Sequence, residues 1–547
     1  MSTVYLDIET NLAHTTIWCA VTRRNGQSTV HTDASTLQPV LDNAMLVVGH
    51  NLIGFDLPVL ERIWGVVIPC DPVEDTLYLS RLYDPSMDGG HSLKAWGQRL
   101  NVGPKGDFTD YDGGLSDDMV DYCIQDVALT EAVHEHLTKA LEDEKFSRDS
   151  IDLEHEVGLI IAQQERNGFK LDVDYASSLW VNLNCRAREI EAELQQVFPP
   201  IVTERWSDKT GKQLKDNVEV FNIGSRKQIG ERLGSIGVKF TEFTETGQAI
   251  INEKTLEGIS KWQARRIAEY LMLQKRTTQI DSWLTAVADD GRVHGRVRTN
   301  GAVTGRMTHS GPNMAQIPNT GSPYGAECRR CWTVEDGNVL VGIDASGLEL
   351  RMLAHYMQDT KYTEELLSGD IHTANMKAAG LTKRDDAKTF IYAFLYGAGP
   401  AKIGSIVGGG AKQGQQLIDS FLANTPAIAG LKAKVTRITA SGESLPGLDG
   451  RRLRVRSQHA ALNTLLQGAG AVVMKQALTI LSDLLYDIPH QFVANVHDEF
   501  QIETPAEFGE IVGQLGVLAI QEAGTDFKMR CPLDGAYKIG KSWADTH

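Results

Sequence analysis

No apolar run in these 547 residues approaches the ~20 needed to cross a bilayer, so no helical membrane span is expected. The opening stretch MSTVYLDIET reaches an acid at Asp7 and lacks the basic-then-apolar pattern of a secretory leader, which predicts a cytoplasmic protein. Cysteine is sparse: seven residues, scattered, as in a reduced intracellular chain. The only close pair, Cys328-Arg329-Arg330-Cys331, has no second pair to complete a zinc site, so both are expected to be packing residues. Low-complexity tracts and internal repeats are absent. A basic excess is also missing. Fifty-four Lys and Arg stand against 71 Asp and Glu, a net charge of −17, which taken alone argues against a nucleic-acid binder.

What is present is a soluble composition, 42% hydrophobic and 23% charged, long enough for three or four domains. The acidity is local. Residues 1–150 hold 24 acids and 10 bases, a balance of −14, whereas residues 151–547 hold 47 acids and 44 bases. Within the latter, 201–300 is mildly basic, with 17 bases against 13 acids. A domain boundary near 150 follows, with an amphipathic helix over Asp152–Glu165 leaving the first domain.

Three acidic sites mark the first domain. The apolar run Val4-Tyr5-Leu6 leads into Asp7-Ile8-Glu9, and alternation in a strand puts Asp7 and Glu9 on one face. Two carboxylates so placed repel unless a cation lies between them. A second apolar run, 45–48, leads through Gly49-His50-Asn51 to Asp56. In Tyr122-Cys123-Ile124-Gln125-Asp126, helical i,i+4 spacing brings the Tyr122 phenol beside the Asp126 carboxylate. Any one of these alone would more often be a solvated edge. Together and in this order they resemble the four-carboxylate, tyrosine-containing proofreading 3′–5′ exonucleases, over about residues 1–145. That resemblance implies an RNase H-like α/β fold, two divalent ions held by Asp7, Glu9, Asp56 and Asp126, and Tyr122 orienting the attacking water. The chemistry agrees: two hard cations ~3.5–4 Å apart generate hydroxide and neutralise a leaving oxygen, and Mg²⁺ favours carboxylate ligands.

Three further patterns occupy the rest. Val339–Ile343 reads as a buried strand ending at Asp344, followed by a turn and a helix with Leu350, Leu353 and Met357 on one face. Arg384, Lys388, Tyr392 and Tyr396 recur every fourth residue, drifting ~40° per step around a helix, with cations suited to phosphates at one end and rings suited to a base and sugar at the other. Phe492–Glu503 reads as strand–turn–strand presenting Asp498, with Glu499 beside it. Asp344 and Asp498 together supply the two acids from separate strands that two-metal nucleotidyl transfer requires.

These segments resemble motifs A, B and C of the family A DNA polymerases, most closely the replicative enzymes of short-tailed T-odd bacteriophages. The likeness also runs through Asn300–Arg306, Pro312–Pro318, Ser322–Gly325, Leu448–Arg451, His459–Gln467, Trp543-Ala544 and His547. It implies an α+β right hand behind the exonuclease, expected as thumb and connecting helices over 151–290, palm over 291–360, fingers over 361–440 and palm again over 441–547. Asp344 and Asp498 match the palm ligands of two Mg²⁺ ions, for which Mn²⁺ could substitute; Glu499 matches an auxiliary acid. Arg384, Lys388 and His372 match triphosphate contacts. Glu349 matches the residue that blocks a ribose 2′-hydroxyl, and Tyr396 the aromatic at the template insertion site. Tyr392 stands where the family carries Phe or Tyr, the Tyr type accepting dideoxynucleotides. Arg306, Asn463, Gln467 and His497 match contacts to the primer–template minor groove, whose acceptors are alike for all correct pairs, or to the primer end. The partners implied are primer–template DNA, deoxynucleoside triphosphates and a replicative helicase–primase, the enzyme itself being a monomer without membrane contact.

One departure stands out. In the phage relatives the thumb carries a long insertion that recruits host thioredoxin, but here only a short polar stretch separates Trp206 from Phe221, so thioredoxin is not expected as a partner. A single-subunit RNA polymerase is disfavoured by Glu349 and by the attached exonuclease. A DNA-binding scaffold with dead sites is disfavoured by the intact clustered acids.

Overall fold

A computed structural model describes residues 3–68, 73–102, 108–244 and 246–547. The chain begins with strands β1 (Thr3–Thr10), β2 (Ile17–Arg24), β3 (Gln27–His31), β4 (Leu46–Gly49) and β5 (Val73–Asp75), which form one sheet in the order β3-β2-β1-β4-β5. β1 runs antiparallel to β2 and parallel to β4. Both of its faces are covered. Val4, Leu6 and Ile8 enter a core with Leu37, Leu41 and Leu60, while Tyr5, on the opposite face, packs with Cys123 and Val127. Those two belong to α1 (Asp117–Asp143), which starts at a Ser116 cap with Asp117 and Asp118 in its first turn, where the helix dipole favours negative charge. The odd-numbered face of β1, carrying Asp7 and Glu9, therefore looks toward α1.

Helix α2 (Arg148–Asn167), capped by Ser147, begins earlier than the expected Asp152. It is followed by the long mutually packed helices α3 (Val173–Val197) and α4 (Trp262–Ala286). Between them the short stretch expected to be merely polar folds into a hairpin, β6 (Ile201–Trp206) and β7 (Gln213–Glu219), nearly every residue of which is exposed on both faces.

The second sheet joins β8 (Asn338–Ala345), β9 (Gln491–Val496), β10 (Glu499–Pro505) and β11 (Gly535–Gly540) in the order β9-β10-β8-β11, all antiparallel. α5 (Leu348–Met357) leaves the end of β8. α6 (Arg384–Leu395) lies farther along the chain, and α7 (Ala461–Leu484) and α8 (Gly509–Asp526) pack together, α8 also lying on the sheet. α7 is long and apolar enough to span a membrane, yet most of it is buried within the protein. Gly397 ends the α6 region with φ +74°, and a Cβ there would meet the His459 carbonyl at 2.7 Å, so only glycine allows that approach.

α2 joins the two halves through a buried charge network. Glu154 accepts from Arg451 Nη1 at 2.7 Å and from Lys475 Nζ of α7, and Arg451 pairs with Asp449 at 2.6 Å. All four side chains are at least 98% buried, and breaking one partner of such a pair leaves an uncompensated charge costing about 3–5 kcal/mol. Cys328 and Cys331 lie in the apolar core beside Trp332, and burial raises both thiols, Cys328 to about 12.

Candidate functional site

Two acidic sites, called here the first and second clefts, lie on different sheets. The first, about 270 Å³, is lined by Asp7, Glu9, Asp56, Tyr122 and Asp126, the full set expected from the sequence, together with His14, His50, Phe55 and Tyr111. β1 supplies Asp7 and Glu9 from one face. Asp56 comes from a single π-helical turn, Leu52–Asp56, which opens at Asn51 in the left-handed region. Asp56 Oδ1 accepts from Ile8 N at 3.2 Å, which fixes that turn against β1. α1 contributes Tyr122 and Asp126 one turn apart. Burial, then the charges of Asp7 and Asp75, push Asp56 well above the usual carboxylate range. The Tyr122 phenol is raised in the same way, by burial and then by Asp126.

Cys123, which no local pattern marks, joins this site. Its Sγ donates to Asp7 Oδ2 at 3.4 Å, and donor atoms of Asp7, Glu9 and Cys123 come within 4.8 Å of one another, close enough to share an ion. The same-face carboxylates and the upward shift of Asp56 are the signature of a donor set that a divalent cation would relieve.

The second cleft lies where β8 ends and the β9–β10 hairpin turns. Asp344 pairs in register with Glu499, and Ala345 N donates to the Asp498 carbonyl at 3.0 Å. The two-residue turn is His497-Asp498, with His497 held at φ +58°, an uncommon conformation for a residue other than glycine. Asp344 has surface open to solvent, yet the protein around it, then Asp498 and Glu499, push its carboxyl to about 7. Burial and then Glu349 bring Asp498 to about 6. Two carboxyls driven toward neutrality by their neighbours again suit a divalent cation.

Glu499 differs. Burial alone would raise it, but His547, Arg329 and Trp543 outweigh that and hold it below its ordinary value. Oε1 accepts from Trp543 Nε1 at 2.6 Å and from Gln501, while Oε2 faces His547 Nδ1 at 3.3 Å and Arg329 Nη1 at 3.7 Å. A carboxylate engaged on both oxygens supports its neighbours more readily than it ligates an ion.

α6 buries Phe390, Ile391, Phe394 and Leu395, while Arg384, Lys388 and Tyr396 stay exposed and Tyr392 half-buried. The four-residue stripe is thus distinct from the core face. Tyr392 and Tyr396 rings lie 6.4 Å apart, and the charges of Glu349 and Asp498 raise Tyr392 further after burial, so the aromatic end of α6 reaches the second cleft. Glu349 Oε1 takes two partners there, Tyr396 OH at 3.1 Å and Arg306 Nη2 at 3.2 Å. At the other end Arg384 grips Asp370 with both forks, at 2.8 and 3.1 Å. His372 lies near enough to Arg384 and Lys388 for both to lower its pKa further after burial.

On α7, Asn463 and Gln467 are the only residues between Ala461 and Lys475 that are not buried, and they share a face with Ala471 and Met474. Those two line a small cleft with Arg306 and His497, which brings all four residues expected to hold DNA onto one stripe and its end.

A family model described as DNA polymerase family A matches residues 202–545. The DNA-directed DNA polymerase of Enterobacteria phage T3 is 34% identical over 676 aligned residues, covering 96% of this chain and 95% of that one. The corresponding protein of Escherichia phage T7 is 35% identical over 654, covering 92% of each. Among solved structures, the POL domain of Pol1 from M. smegmatis in complex with DNA primer-template and dNTP superposes with a TM-score of 0.83, covering 99% of this chain and 95% of that one. Its sequence identity is 18%, so that likeness speaks to the fold.

Proposed function

This chain belongs to DNA polymerase family A, and from that premise we propose how its two clefts divide the labour of DNA synthesis. It is a DNA-directed DNA polymerase. The second cleft is the site of synthesis, and the observation that carries this reading is the convergence of Asp344 at the end of β8 and Asp498 in the β9–β10 turn, each carboxyl raised by burial and then by neighbouring acids.

Asp344 and Asp498 are the residues that would hold divalent ions, Mg²⁺ or in its place Mn²⁺; bound there, such ions supply charge neutralisation at the triphosphate and acidify the primer hydroxyl. Arg384, Lys388 and His372 bind the triphosphate, Tyr392 borders the sugar and Tyr396 the templating base. Glu349, fixed by Tyr396 and Arg306, closes the space a ribose 2′-hydroxyl would need. Arg306, Asn463, Gln467 and His497 bear on the primer–template minor groove. Glu499 is a positioning residue, locking the hairpin that carries Asp498.

The first cleft is the 3′–5′ proofreading exonuclease, with Asp7, Glu9, Asp56 and Asp126 as the ion-holding residues and Tyr122 orienting water. On this reading residues 1–150 form the exonuclease, 151–290 the thumb and connecting helices, 291–360 and 441–547 the palm, and 361–440 the fingers. The hairpin at 201–219 stands where a thioredoxin-recruiting insertion would be, so the enzyme works without thioredoxin, in the cytoplasm of a host cell and beside a helicase–primase. The test is a labelled primer–template in Mg²⁺. With nucleotides the primer lengthens, and without them it shortens from its 3′ end. Failure to lengthen would overturn the synthetic site, and failure to shorten the proofreading one.

A further inference from the structure

Of the three groups proposed to bind the triphosphate, Arg384 is paired with an anion that is already part of the protein, and His372 lies beside both. Asp370 meets the Arg384 guanidinium with both carboxylate oxygens, the geometry in which Arg also grips phosphate. The same carboxylate caps the helix Ile371–Ala379, accepting from His372 N, Thr373 N and the Thr373 hydroxyl. It is therefore fixed from behind and cannot swing away with Arg384. Arg384, by contrast, sits at the first turn of α6 on a long exposed side chain, free to exchange one oxyanion for another.

We propose that Asp370 is a positioning residue that occupies Arg384 as a stand-in for the triphosphate, so that an incoming nucleotide must displace it. This rests on Arg384 being a triphosphate contact. Asp370 would then hold the guanidinium in place between turnovers and set a threshold that a weakly held nucleotide fails to pass. Both partners are half-exposed, so the competition is modest, a few-fold rather than orders of magnitude.

Asp370→Asn separates the two roles, because Asn caps a helix as well as Asp but carries no charge to pair with Arg384. Single-nucleotide incorporation by the full chain on primer–template, measured across deoxynucleotide concentrations, should show D370N binding the nucleotide about threefold more tightly. The effect should vanish in an R384A background, since Asp370 acts only through Arg384. Unchanged or weaker nucleotide binding in D370N overturns the proposal, as does equal tightening with and without Arg384. R384A alone distinguishes the premise: if it leaves nucleotide affinity intact, Arg384 is not a triphosphate contact. If R384A weakens binding while D370N does nothing, only the stand-in role of Asp370 is lost.

Discussion

The Tyr396 hydroxyl donates to Glu349 Oε1 across 3.1 Å, on the same oxygen that Arg306 approaches at 3.2 Å. A short acidic side chain at the start of α5 is thus pinned from α6 on one side and from the 300–306 segment on the other. Glu349→Ala should raise ribonucleotide relative to deoxynucleotide incorporation by about 100-fold. Tyr396→Phe, which removes one hydrogen bond to a charged group, should raise it by roughly 3- to 10-fold. Competitive incorporation read on a gel checks both, and an unchanged ratio in E349A would remove Glu349 from the gate.

The two clefts sit on separate sheets, so their activities should be separable. Asp344→Asn should lower primer extension by about 10³-fold or more while leaving 3′ digestion intact, and Asp7→Asn should do the reverse. Chelation of divalent ions should abolish both in the native enzyme. Loss of both activities in either variant, with a native circular dichroism spectrum, would refute a two-site enzyme.

Tyr392 is half-buried on α6 with its hydroxyl directed into a region charged by Glu349 and Asp498. If that hydroxyl replaces the missing sugar hydroxyl of a terminator, Tyr392→Phe should increase discrimination against dideoxynucleotides on the order of 100-fold. Sequencing-ladder band intensities at fixed terminator ratio give the number directly.

Much of this was legible because the signals are local. The strand–turn–strand around Asp498, the strand ending at Asp344 and the Tyr122–Asp126 helical pair each declare themselves within a dozen residues through periods of 2 or 3.6. What was not legible is long-range. Nothing near Glu499 announces that Trp543 and His547 will occupy its oxygens, nor near Glu154 that Arg451 and Lys475 will neutralise it. The turn that delivers Asp56 is π-helical, a form with no sequence period of its own. The 201–219 stretch has polar composition, and composition does not reveal that cross-strand pairs such as Val202–Val218 fold it.

Acid should strike the first domain through Glu74. Burial would raise its carboxyl, but His134 on α1 and Arg148 on α2 prevail and hold it at about 2. A lowered folded-state pKa means stability that is present above the unfolded value near 4.5 and lost as pH falls toward 2, at most about 3 kcal/mol, less to the extent that exposed Arg148 is screened. Thermal unfolding followed from pH 6 to pH 3 should therefore show a steeper loss in the native chain than in Glu74→Gln. Parallel curves would show that the pair contributes nothing.

Thioredoxin should not alter the length of product made in one binding event. Extension with excess trap DNA, with and without thioredoxin, should give superimposable distributions. A several-fold lengthening would mean that the exposed hairpin Ile201–Glu219 suffices to recruit it.

On the proposed division of labour, the Glu154–Arg451–Lys475 junction bears on how a primer end would pass between the two clefts. Glu154 lies on α2, the helix that leaves the first domain, and its buried pairing with Arg451 and Lys475 resists movement of one cleft toward the other. On that proposal the gap between the clefts stays constant, and a primer end would cross it by fraying and migrating as a single strand. Accuracy would then be a race between strand melting and the next addition, timed by the DNA's own base pairs.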